Sequence, residues 1–275
     1  MNGAAVNWSR IMAPQAGGEA DEAVLQAAAV IAAPFQAEVL GVFAPADIAD
    51  LMPWMGEGFM GGVQGAAVES LKEAAIEGEK EARASIGALA YEPKRFIALD
   101  SPVWSALAME GRLSDVVVFD NQAARSRGPL GQAFQQIIAA EQRPVLIARP
   151  GLDPAGHAVL AWDGGKEATR AVRTALPLLQ KASAVTIVAV DTAQQREFDP
   201  ADLQAYLAAR EVKAQVRLIS GSGEPAPILL KAAQELGASL FVAGAYGHPR
   251  LQEFIFGGAT RVFLGAESPS LFLSH

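Results

Sequence analysis

Near the C-terminal end, the segment GAYGHPRLQEFIFGGAT sets Gly244, Gly247, Gly257 and Gly258 around an amphipathic run in which Leu251, Phe254 and Ile255 have helical spacing. The apolar run SLFVAG precedes it. Glycine lets a backbone approach an anion and turn N–H groups toward it. A helix opening at Gly258, Ala259 and Thr260 would add unsatisfied amides and the positive end of its dipole. The chemistry these residue types offer is anion binding, above all of phosphate, by neutral donors. The same glycines also fit a plain turn at Gly244 and Gly247 and a break between helices at Gly257 and Gly258. Spacing alone does not choose between the two.

Other candidate motifs lack the context their chemistry needs. GEGFMGG, Gly56 to Gly62, matches G-x-G-x-x-G. That pattern works in the tight turn between a first strand and its helix, whereas here a long irregular stretch with Pro53 comes before it. AGGEAD, from Ala16, lacks the serines of an S-G-G-x-D-S pyrophosphatase loop, and DGGK, from Asp163, lacks the earlier glycine and following Ser/Thr of a P-loop. There is no G-x-S-x-G elbow and no zinc-type histidine pair; His157, His248 and His275 are far apart. His248 could reach a phosphate or be an idle loop histidine. No catalytic residue and no metal ligand is assigned.

The chain that must position the glycine segment has 275 residues, 51% of them hydrophobic, enough for one large or two ordinary domains. Its formal net charge of −8 argues against nucleic acid and anionic membrane surfaces as partners. The absence of cysteine removes thiolate chemistry and fits a reducing cytosol. MNGAAVNWSR shows no secretory pattern, and LQAAAVIAAPF is too short and too polar at its edges to span a bilayer. A cytoplasmic location is expected.

Short runs rich in Val, Ile, Leu and Phe alternate with longer helical patterns, which predicts an α/β chain of parallel strands and crossover helices. The front half offers strands at 10–14, 37–43, 94–99, 115–120 and 144–149, and the back half at 157–162, 184–190, 213–219, 239–244 and 269–274. RIMAPQAGGEADEAVLQAAAVIAA can be laid on AVLAWDGGKEATRAVRTALPLLQK with Gly17 and Gly18 on Gly164 and Gly165. Internal duplication follows. The Pro/Gly-rich segment RPGLDPAGH puts the boundary between domains 1–150 and 151–275. A Met/Gly-rich insert at 46–66 interrupts only the front copy; it suits a lid, a partner-binding loop or a simple connector.

The spacing Gly244-x2-Gly247-x9-Gly257, after an apolar strand and before a helix, resembles the G-x2-G-x9-G-(S/T) signature of the universal stress proteins. Supporting matches are AWDGGKEA at the first strand end, GEPAPIL from Gly223, and the strand-final Val190 and Asp191. The resemblance covers nearly the whole chain and implies two tandem five-stranded domains of the Rossmann-like, adenine nucleotide alpha hydrolase-like fold. It implies ATP or a related adenine nucleotide, with Mg2+ as an optional companion, in the C-terminal domain. Asp163 would contact the ribose and the Val190 backbone the adenine. Gly244, Gly247, Gly257 and Ala259 would hold the phosphates. It further implies that domains pair through their last strands, here within one chain, with further homodimerisation open.

Two departures qualify this. Gly258 stands where the signature has Ser or Thr, and Thr260 is the nearest hydroxyl that could substitute. In the front copy Ala16 replaces Asp163, while Asp120 and Ala123 replace Gly244 and Gly247, putting a carboxylate where phosphate would sit. The front domain is expected to be nucleotide-free, with Arg125 and Arg127 solvated. The leading expectation is a stress-response binding protein that switches an unknown protein partner without turnover. The alternatives are a nucleotide-independent scaffold and a slow hydrolase. Gly244→Val is expected to block phosphate while sparing the fold.

Overall fold

Every one of the ten apolar runs forms a strand. The computed structural model describes residues 7–45, 62–100, 103–191, 199–221, 223–245 and 258–275. The front strands are β1 (Arg10–Gln15), β2 (Glu38–Phe43), β3 (Lys94–Ala98), β4 (Val116–Phe119) and β5 (Val145–Ile147). The back strands are β6 (His157–Ala161), β7 (Ala184–Asp191), β8 (Ala214–Ser220), β9 (Leu240–Gly244) and β10 (Ser270–Ser274). The connecting helices in the front half are α1 (Glu19–Ala32), α2 (Gly62–Ala88), α3 (Val103–Gly111), α4 (Asn121–Ala124) and α5 (Gly131–Gln135). Those in the back half are α6 (Lys166–Leu179), α7 (Pro200–Ala208), α8 (Pro225–Glu235) and α9 (Gly258–Gly265). Of the Met/Gly-rich insert, residues 46–61 lie outside the described residues and the remainder begins α2.

The strands form one sheet in the order β3-β2-β1-β4-β5-β10-β9-β6-β7-β8. Each half therefore repeats the same internal order with parallel pairing, and the two halves meet where β5 and β10 run antiparallel, Phe272 opposite Leu146. Continuous apolar strands such as VVVF in β4, buried along its whole length, need cover on both faces, and the crossover helices supply it. The two cores, one on each face, both run across the seam. Trp8, ahead of β1, stacks on Phe272 of β10 with ring centroids 6.2 Å apart and tilts against Phe35 at 5.4 Å. The halves thus share apolar packing as well as ladder hydrogen bonds.

At the outer end of the front half, Glu38 on β2 takes Arg10 Nε at 2.7 Å and Arg95 Nε at 2.9 Å, tying three adjacent strands. Burial would raise the Glu38 pKa, but the bonds from Arg95 and Arg10 outweigh it and hold the carboxyl below its ordinary 4.5. A carboxylate with a depressed folded pKa stabilises the fold above its unfolded value and loses that contribution as the pH falls through the folded one. Glu38→Gln should therefore be less stable than the parent at pH 7, and the two should converge as urea titrations are taken well below pH 4.5. A gap that persists in acid would show that the charge is not what matters.

Candidate functional site

Strand register gathers the first part of the site. Ala161 of β6 pairs with Val188 of β7, and Leu160 of β6 with Val242 of β9. Continuing that register, Asp163 lies level with Val190, and Trp162 with Gly244. Three neighbouring strands, β9-β6-β7, thus end at one edge of the sheet. This is also where strand order reverses about β6, opening a crevice at the carboxyl ends of the strands. α9 returns the chain to β10, which runs parallel to β9, so the α9 N-terminus faces the same edge.

The turn after β6 is built for close approach. Gly164 has φ +83, in the left-handed region, and so does its front-half counterpart Gly17 at φ +75. Asp163 is exposed, and its Oδ1 accepts from the Gly165 amide at 2.8 Å. Gly165 caps α6 with extended backbone and no side-chain bond. The positive end of α6 therefore opens beside Asp163. Lys166 in the first turn is exposed, its Nζ 3.4 Å from the buried Glu167 carboxylate.

Packing constrains Gly244 in a way the sequence does not announce. A Cβ placed there would lie 2.6 Å from Ala168 N and Glu167 C and 2.8 Å from Glu167 Cβ. The position faces the first turn of α6, not open ligand space, so glycine is required by packing. Val190 is buried beneath the edge, at 6% exposure. Gly258 and Ala259 are exposed at the start of α9, with no atom within 4 Å of a Cβ built on Gly258. Thr260 points inward and is 2% exposed, so its hydroxyl does not replace the missing Ser/Thr. Gly247, Gly257 and His248 fall outside the described residues.

The front half fills its corresponding turn with its own carboxylate. Asp21, in the first turn of α1, accepts from the Ala16 and Gly17 amides, both at 2.9 Å, and is 2% exposed. Burial pushes its pKa up, and the amide bonds draw it part of the way back. A Cβ at Gly17 would collide with the Gly78 backbone, so α2 packs directly on this turn. Asp120 caps α4 by accepting from Ala123 N at 2.8 Å. Arg125, expected to be solvated, instead bonds the end of α9, with Nη2 2.9 Å from Gly265 O. Asp21 escaped notice because Ala168 is its counterpart in the back copy and only the fold returns its carboxylate to the turn.

Among the described residues no three His, Cys, Asp or Glu side chains gather as a metal site, and no helix is long and apolar enough to cross a membrane. The family model of the universal stress proteins matches residues 155–265, which takes in the β6 turn, β7, β9 and α9. Residues 155–265 are thus a universal stress protein domain. The full tandem layout resembles a universal stress protein from Archaeoglobus fulgidus DSM 4304, at 18% identity and TM-score 0.63, covering 98% of this chain and 96% of that one. It also resembles a Pseudomonas aeruginosa UCBPP-PA14 protein named for the same family, at 18% identity and TM-score 0.55, covering 97% and 93%. At these identities the likeness is one of fold, and it extends to the front half. No curated protein matches the chain.

Proposed function

We propose that the universal stress protein domain in the C-terminal half binds an adenine nucleotide, ATP with Mg2+ as its companion, and that occupancy is read by a protein partner without turnover. The observation that carries this is the shared edge: the exposed Asp163 carboxylate, the end of β7 at Val190, and the openings of α6 and α9 converge where the sheet reverses. Asp163 suits ribose hydroxyls and the Val190 backbone suits adenine. The amides of Gly258 and Ala259, with the positive end of α9, suit phosphate. Gly244 contributes by letting β9 and α6 come together. Any Mg2+ would be held chiefly by the phosphates, with the exposed Asp163 carboxylate at the same edge.

The inward turn of Thr260 keeps its hydroxyl from replacing the one missing at Gly258, a loss worth roughly 1.5–3 kcal/mol, or about one to two decades of affinity. That feature favours the second reading, a nucleotide-free interaction module of the same fold. The front half, with Asp21 on its turn and Asp120 on α4, serves as a nucleotide-free structural partner in a cytoplasmic binding protein.

Calorimetric titration of nucleotide-stripped protein with Mg-ATP separates these. The expected result is about one equivalent per chain, with Asp163→Ala weakening binding about tenfold through the loss of a ribose contact. Two equivalents would refute the front-half assignment. A folded protein that takes up none would leave the interaction module.

A further inference from the structure

Two arginines of the front half cross the seam and take hold of the far end of α9. Arg125, at the end of α4, donates from Nε to Leu264 O at 3.3 Å and from Nη2 to Gly265 O at 2.9 Å and Ala266 O at 3.5 Å, and it pairs with Glu267. Arg149, just after β5 and 5% exposed, donates from Nη2 to Phe263 O and from Nη1 to Pro269 O, both at 2.8 Å. Its Nε bonds Asn121 Oδ1 at 2.9 Å, and Asn121 Nδ2 in turn reaches Glu267 at 3.2 Å. The consecutive carbonyls from Phe263 to Ala266 all receive guanidinium donors from the other half of the chain.

The last carbonyls of a helix have no partner within it, and cations there oppose the negative end of its dipole. α9 is a helix of 8 residues, Gly258 to Gly265. At about 1.5 Å per residue it is only some 12 Å long. A rigid rod that short transmits any tilt of its C-terminal end directly to Gly258 and Ala259. The antiparallel register centres on Phe272 and Leu146, so His275 holds the position in the back copy that corresponds to Arg149.

We propose that Arg125 and Arg149 are positioning residues for the phosphate end of the back half's site, so that the nucleotide-free front half is a working part of it. The inference rests on the nucleotide reading above and adds the front half's role to it. Adenine and ribose are assigned to β6 and β7, which the arginines do not touch, whereas phosphate is assigned to α9, which they hold. Loss of the clamp therefore acts on phosphate binding selectively.

The test compares Mg-ATP with adenosine on the full chain by calorimetry, with thermal melts confirming the fold. Arg125→Ala should weaken ATP about tenfold and leave adenosine unchanged, and Arg125→Lys, which keeps the charge but not the fork, should fall between it and the parent. If Arg125→Ala does not fold, Arg125→Lys carries the comparison, with about a threefold loss for ATP alone. Folded variants that bind ATP like the parent, or that lose ATP and adenosine in parallel, would overturn the inference while leaving nucleotide binding intact. A parent protein that binds neither ligand would overturn the nucleotide reading and this inference with it.

Discussion

Gly244→Val should cost the C-terminal half several kcal/mol of stability, on the order of 3–5, and fail as a clean probe of ligand binding. The first carbon of the new side chain would sit 2.6 Å from two backbone atoms of α6, Ala168 N and Glu167 C. Backbone cannot swing aside as a flexible side chain does, so α6 must move away from β9. That helix buries Ala168, Ala171, Val172, Ala175, Leu178 and Leu179, and much of the core on its face would loosen with it. Even Gly244→Ala should show a large share of the loss, since the collision begins at Cβ. Urea unfolding measures it directly; an alanine variant within about 0.5 kcal/mol of the parent would mean that β9 and α6 do not approach this closely.

Arg149→Met should destabilise the whole chain by about 3–5 kcal/mol, although methionine matches the length of the stem and is apolar. Replacing a complete buried ionic network by hydrocarbon can be neutral, but removing one member strands its partners. Here the stranded groups are Phe263 O, Pro269 O and Asn121 Oδ1, the first two in buried bonds. Burial lowers the Arg149 pKa, with Glu267 opposing and Arg125 reinforcing the shift, to about 10. The side chain therefore remains a charged donor at neutral pH. The backbone of Arg149 also exchanges hydrogen bonds with Ser270 Oγ, at 3.0 and 3.1 Å, next to the β5–β10 pairing. Because the residue joins the halves, its loss should lower the unfolding midpoint of both together. Two separated transitions, with only α9 and its surroundings lost early, would show that the seam holds without it.

What the sequence by itself determined is local and repeated. Runs such as VVVF and LFVAG are apolar at consecutive positions, which suits strands covered on both faces, and each lies within a residue or two of its expected place. The duplicated glycine pairs were legible for the same reason: one short turn, with Gly17 and Gly164 both at positive φ, recurs because one backbone geometry requires it twice. Asp163 and Val190 could be placed at strand ends because strand ends are local features.

What only the tertiary structure decided depends on groups that meet from distant parts of the chain. The glycine spacing marked Gly244, but the first turn of α6 is what excludes a side chain there. Thr260 is near Gly258 in sequence, yet helical rotation carries it from the exposed face into the core. Asp21 reads as an ordinary first-turn acid until the fold returns its carboxylate to the Ala16 and Gly17 amides. Arg125 reads as surface charge and Arg149 as the end of a strand run, and nothing near them in sequence names the carbonyls from Phe263 to Pro269 as their acceptors. Periodicity reports how a segment satisfies its own backbone; which buried carbonyl a distant arginine must satisfy is settled only when the two halves close into one sheet.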